Sequence, residues 1–123
     1  VSITPSIELH EVADLELLLD GMVLISLGQL RRGLCPPLYQ AGVRYQREPR
    51  GRESWQTAHA TYQRKRGDCE DLAIYLAASK RLIGIQARAV IVDVRPGLKH
   101  CIVRLPDGTT EDPSKRLGMN GAG

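Results

Sequence analysis

Between His10 and Arg32, apolar residues recur at Val12, Leu15, Leu19, Met22, Val23 and Leu30, close to a 3.6-residue period, and predict a long helix. Leu18, Ile25 and Leu27 widen that stripe, so the helix is expected to be gripped on more than one side. Gly33 and then Pro36-Pro37 signal its end. The period is lost over residues 36–54, where Arg44, Arg47, Arg50 and Arg52 mix with Glu48 and Glu53; this reads as an extended, exposed connector. Trp55 to Arg64 fits a short helix ahead of a turn at Arg64-Lys65-Arg66-Gly67. The clearest helix is Cys69 to Ile83. Cys69, Leu72, Ala73, Leu76, Ala77 and Ile83 form one face, small enough at the alanines for a sheet to come close, and Gly84 follows as a stop.

After Gly84 the pattern switches to a two-residue alternation and predicts strands at Ala87 to Arg95, Lys99 to Leu105 and Thr109 to Asp112. Pro96-Gly97 and Pro106-Asp107-Gly108 are suited to the two hairpin turns. The fold expected is α+β, with the Cys69 helix packed on an antiparallel sheet and a helical N-terminal region. Residues 1–123 are expected to form one domain: a helical region and basic connector at 1–54, a core at 55–115 and a flexible glycine-rich tail at 116–123.

Composition narrows the picture. A 123-residue chain can bury a core without disulfides or structural metal. With one Trp, four Tyr and no Phe, that core must be aliphatic. The three cysteines, Cys35, Cys69 and Cys101, cannot all pair within the chain and point to a reducing, cytoplasmic setting. A net charge of +3 is too small to imply a polyanionic partner. The most apolar stretch, Leu15 to Leu30, contains Asp20 and is too short at that apolarity to span a membrane.

The chemistry concentrates in Arg66-Gly67-Asp68-Cys69-Glu70-Asp71-Leu72-Ala73, read with His100 and Asp112. Asp68 is a natural N-cap, and Asp71 resembles the reciprocal member of a capping box. That places Cys69 in the first helical turn, beside free backbone N–H groups. The helix terminus favours a thiolate by about 0.3–1 kcal/mol, or about 2 kcal/mol when partly buried. Such a gain lowers a thiol pKa by about one unit. Glu70 and the two aspartates oppose it, so a thiolate near neutral pH needs a cationic partner. His100, on a strand, supplies one; His10 and His59 fall in surface-like contexts. Cys, His and Asp in this order suggest acyl transfer through a thiolate. Taken singly, Cys69 would read as a small buried side chain and His100 as a hydrogen-bonded strand residue.

Turn length tests the arrangement. If Pro106-Asp107-Gly108 is a three-residue loop with Gly108 left-handed, Leu105 faces Thr109 and Asp112 faces Ile102. Asp112 then becomes a diagonal neighbour of His100 on the same face of the sheet. A two-residue loop would send Asp112 to the other face.

Four separated pieces, Gly67-Asp68-Cys69-Glu70-Asp71-Leu72-Ala73, Gly84-Ile85-Gln86-Ala87-Arg88, His100 and Asp112-Pro113-Ser114, occur in the order found in the transglutaminase-like branch of the papain-like superfamily, which the region from about residue 55 to 115 resembles. The resemblance implies Cys69 as nucleophile, His100 as general base and acid, and Asp112 as the group orienting the imidazole. Where that branch often has Ala-Trp after the histidine, this chain has Cys101-Ile102, which puts a different wall on the substrate side. Oxyanion candidates are the Cys69 N–H with Gln63, six residues upstream as the papain-like glutamine is, or Trp55, as transglutaminases use an upstream Trp. The helical N-terminal region looks like that of short phage-encoded members.

The function expected is thiol-dependent cleavage or transamidation of a peptide or amide bond, as a cysteine peptidase, amidase or acyltransferase, on a peptide or protein substrate. The alternative is a non-catalytic structural or assembly protein, such as a virion component in contact with other virion proteins in a phage particle. Neither cofactor nor metal is expected: there is no C-x-x-C pair, and Cys101 should face away from His100. Nucleic-acid binding through Arg44, Arg47, Arg50, Arg52, Arg64, Lys65 and Arg66 is the weaker reading, because aromatics are few and net charge is low. No membrane partner is expected.

Overall fold

The computed structural model describes residues 2–3, 12–47 and 54–119. Its elements run β1 (Ser2–Ile3), α1 (Val12–Arg31), a 3-10 turn (Leu38–Gln40), β2 (Arg44–Tyr45), β3 (Trp55–Gln56), α2 (Ala58–Arg64), β4 (Arg66–Gly67), α3 (Cys69–Leu82), β5 (Arg88–Arg95), β6 (Leu98–Arg104), β7 (Thr110–Glu111) and α4 (Pro113–Arg116). This is an α+β fold. A three-stranded antiparallel sheet has the order β5-β6-β7, and two short pairings, β1 with β3 and parallel β2 with β4, tie down the connecting segments.

The buried side chains form one continuous core drawn from α1, α3, β5, β6 and the segments between them. α3 is its axis. The sequence pattern assigns this helix one apolar face, but every residue from Asp71 to Ser79 is buried. Ile74 and Tyr75, off the predicted face, are both 0% exposed, whereas Ile83 is 68% exposed. The reason is that α3 touches α1, α2, α4 and the sheet, so no side is left to solvent. Burying each large apolar side chain there contributes about 1.5–3 kcal/mol.

α1 buries Leu19, Met22, Val23 and Leu30 of its period, together with Leu27 from the wider stripe. Its buried face also carries two polar side chains that hold the next helix in place. Ser26 Oγ accepts from Ala58 N at 2.9 Å, and Gln29 Oε1 accepts from His59 N at 2.9 Å. With Thr57 Oγ1 accepting from Ala60 N, they satisfy the open N–H groups at the start of α2. α2 is shorter than predicted because Trp55 and Gln56 form a strand and Thr57 is the cap.

The exposed connector expected at 36–54 is not what residues 36–47 form. Leu38, Ala41 and Val43 are buried. Leu38 N donates to Ser79 Oγ at 3.0 Å, and β2 lies parallel to β4 with Tyr45 opposite Gly67. The apolar residues here are too sparse to show a period, yet all three join the core, and the turn that carries Leu38 packs on α3. Residues 48–53 lie outside the described residues, as do His10 at the predicted start of α1 and residues 120–123 of the tail. Leu117, within the segment read as tail, packs against the core, and its carbonyl accepts from Tyr45 N at 2.9 Å.

Candidate active site

The start of α3 is built as the acidic pattern predicts. Asp71 N donates to Asp68 Oδ1 at 3.1 Å, and Asp68 N donates to Asp71 Oδ2 at 3.1 Å, completing a capping box. Asp71 does more than the sequence indicates. Its other oxygen, Oδ1, accepts from Gln56 N at 2.7 Å, so one fully buried carboxylate fastens β3 to the first turn of α3. Gly67 permits this closeness: a Cβ there would lie 2.8 Å from Asp71 Cβ and 3.2 Å from Thr61 Cγ2.

Buried so close together, these carboxylates resist ionisation. Desolvation first, then the Asp68 charge, pushes Asp71 up to about 8 against the pull of its backbone donors. Desolvation and the neighbouring Glu70 charge push Asp68 up to about 7.

Cys69 opens α3, half-buried and packed against the core. Its sulfur donates to Glu70 Oε2 at 3.1 Å and accepts from the backbone N–H of Cys101. Burial, then the Glu70 charge, raises the thiol well above its ordinary value; the Cys101 N–H works in the opposite direction. The thiol therefore rests protonated, bonded to a carboxylate and not to the imidazole. The capping box uses the N–H groups of Asp71 and Asp68, so it leaves those of Cys69 and Glu70 to point past the helix end.

His100 and Asp112 are brought together. Leu105 N donates to Thr109 O at 2.8 Å, Gly108 takes a φ of 89°, and Val103 lies opposite Glu111. That is the register of a three-residue loop, and it puts Asp112 on the His100 side of the sheet. His100 Nε2 meets Asp112 Oδ2 at 2.8 Å, with the two side chains 12% and 21% exposed. The bond uses Nε2 and leaves Nδ1 as the nitrogen that can face a substrate or a sulfur. Asp112 also caps α4, since its Oδ1 accepts from Ser114 N at 3.1 Å and Lys115 N at 3.3 Å. Ser114 itself is fully buried, and its hydroxyl finds no partner among the described residues.

The remaining candidates divide. Trp55 is buried in β3, the strand that Asp71 fastens to α3, whereas Gln63 is an exposed residue of α2. Cys101 faces the core, 2% exposed, as its place next to His100 on a strand requires. Cys35 is buried as well, and all three cysteines are free thiols. Sequence reasoning missed Tyr45. It lies opposite Gly67 on β2, and burial, followed by the acidic groups at the head of α3, raises its phenol pKa. Its signal is hidden in a segment that reads as a connector.

Among the described residues, no group of three or more His, Cys, Asp and Glu side chains is placed to hold a metal ion. Among those residues, too, no helix is long and apolar enough to cross a membrane.

Comparison with curated proteins and with solved structures returns no match. Comparison with protein families does: the model of the transglutaminase-like superfamily matches residues 38–110. The matched span contains Cys69 and His100 and ends just short of Asp112. It covers more than half of the sequence, and the chain belongs to the transglutaminase-like superfamily.

Proposed function

We propose that this chain is a thiol-dependent acyl-transfer enzyme acting on a peptide or amide bond, with Cys69 as nucleophile, His100 as proton carrier and Asp112 as the group that orients the ring. The observation that carries the reading is the 2.8 Å bond between His100 Nε2 and Asp112 Oδ2, on a strand whose next N–H, that of Cys101, reaches the Cys69 sulfur. A carboxylate on Nε2 fixes the tautomer and stabilises the imidazolium. Placement of the Cys69 helix against the antiparallel sheet, supported by their shared core, would bring the sulfur to the edge where Nδ1 lies.

In this mechanism the thiol proton passes to Nδ1 and the sulfur attacks the substrate carbonyl. The open N–H groups at the start of α3 stabilise the oxyanion, with Trp55 the better placed of the two side-chain candidates because it sits on the strand tied to Asp71. His100 returns the proton to the leaving amine or ammonia, giving a thioester. Water or a second amine then releases the acyl group, with His100 as base. Hydrolysis and transamidation share the first half.

The second reading is a structural or assembly module that keeps this fold without turnover, for example as part of a phage particle. The thiol bonded to Glu70 and held protonated is what favours it. The deciding experiment is intact-mass detection of a covalent adduct after incubation with a peptide library, wild type against Cys69→Ala. A mass gain in the wild type alone supports the enzyme. No gain, with the protein folded and Cys69 open to a small alkylating reagent, supports the module.

A further inference from the structure

The sequence pattern predicts that α1 is gripped on more than one side; α3, β5 and α2 do hold it, yet among the described residues one face stays open. Of the three residues that widen its stripe, Leu27 is buried, but Leu18 is 40% and Ile25 46% exposed. Beside them Leu17 is 74% and Leu24 56% exposed. These side chains lie across the helix from Leu19, Val23 and Leu30, which face the core.

The exposed face has an internal order. Asp14, Leu17, Gly21, Leu24, Gly28 and Arg31 follow one another at alternating intervals of three and four residues, the seam spacing of a two-helix pairing. Glycine inside a helix weakens it relative to alanine, so two of them ask for a reason. The fold supplies none: a Cβ at Gly21 or at Gly28 would meet nothing within 4 Å.

The stripe is also symmetric about its middle, between Met22 and Val23. Reversed end for end, it places Leu17 against Gly28, Leu24 against Gly21 and Asp14 against Arg31. Each large side chain meets a gap and each charge meets its opposite. We propose that α1 is a homodimer interface, in which it packs antiparallel on the α1 of a second copy of this chain, leucine into glycine, closed at both ends by Asp14–Arg31 ion pairs. A two-fold axis requires such a self-complementary patch, because each copy presents the same face. The helix dipole alone would favour an acid early and a base late; the register fixes which acid and which base.

The test is sedimentation velocity on the full chain from micromolar to near-millimolar concentration, with thermal melting of the same variants. The wild type should form a dimer, and Leu24→Glu should abolish it. Gly21→Ala and Gly28→Ala should each weaken association about tenfold by filling the gap. The same substitutions should raise the melting temperature of the monomer, because the new methyl has room and strengthens the helix. Opposite signs in the two measurements separate an interface from a general loss of folding. Asp14→Arg should weaken the dimer, and adding Arg31→Asp should restore it. A monomer at every concentration, glycine variants that associate as the wild type does, or failure of the double charge reversal to rescue would overturn the proposal.

Discussion

After burial, the charge of Glu70 weighs most on the ionisation of Cys69, and replacing it with glutamine isolates that contribution. The substitution keeps the shape of the side chain and removes its charge 3.1 Å from the sulfur. Two unit charges at that separation repel by about 1.3 kcal/mol at the dielectric of water and about 5 kcal/mol at an effective dielectric near 20. Cys69 is only half-buried, so the lower figure sets the expectation: the thiol pKa of Glu70→Gln should fall by at least about one unit. A weaker base is a weaker nucleophile, with a Brønsted slope near 0.5, which cancels about half of the gain. Alkylation well below the pKa should therefore quicken about threefold or more, and the midpoint of the rate against pH should move down. If His100 takes the thiol proton as proposed, His100→Ala should slow alkylation near neutral pH, leaving only the Cys101 N–H to favour a thiolate. The assay is iodoacetamide modification followed residue by residue by mass spectrometry. Cys35 and Cys101, 6% and 2% exposed, serve as reporters of opening, because they react only if the core comes apart. A Glu70→Gln profile that overlays the wild type, or lies above it in pH, would refute the electrostatic account of the resting thiol.

Two further substitutions separate roles that one side chain combines. Asp112→Asn should keep most of the α4 cap while weakening the hold on His100, so acyl-enzyme formation should fall with little change in urea stability; Asp112→Ala should also cost about 1 kcal/mol in stability through the lost cap. Asp71 and Asp68, raised to about 8 and about 7, bind more protons folded than unfolded between roughly pH 4 and their folded values, so their contribution to stability falls as pH rises through that window. In Asp71→Asn that pH dependence should shrink, and stability at pH 5 should drop by about 1–3 kcal/mol because an amide cannot accept from both Gln56 N and Asp68 N. Urea unfolding at pH 5 and pH 8 reads both effects, and an unchanged pH dependence would show that Asp71 is ionised in the fold.

What the sequence made legible were features whose cause is local. The capping box at Asp68 and Asp71 involves residues three apart, and the Pro106-Asp107-Gly108 turn carries its own left-handed position. Because strand register follows from turn length, the pairing of His100 with Asp112 could be read twelve residues apart. The helix α3 was legible as a helix but not as an axis. A period reveals the first face a helix buries; when neighbours surround it, as around Ile74 and Tyr75, the other faces are apolar or small without a rhythm of their own. The segment around Leu38 and Val43 failed for the opposite reason, since its order comes from Ser79 and β4, far along the chain.

The same division runs through the candidate site. The sequence singled out Cys69, His100 and Asp112, because each sits in a local motif. It indicated the sign of the acidic effect on Cys69 but not which carboxylate makes which contact, which depends on where the side chains stop in three dimensions. Glu70 reads as one of three acids opposing a thiolate, and it is the one in contact with the thiol; Asp71 reads as half of a cap, yet it also holds β3 in place. Glu70 and Asp68 raise the cost of a thiolate, and Asp68 at the same time caps the helix that presents it. Under the proposed mechanism the thiol becomes reactive only when its proton leaves the sulfur for the imidazole held by Asp112, so the proton's route from Cys69, and not the presence of the three residues, separates an enzyme from a scaffold.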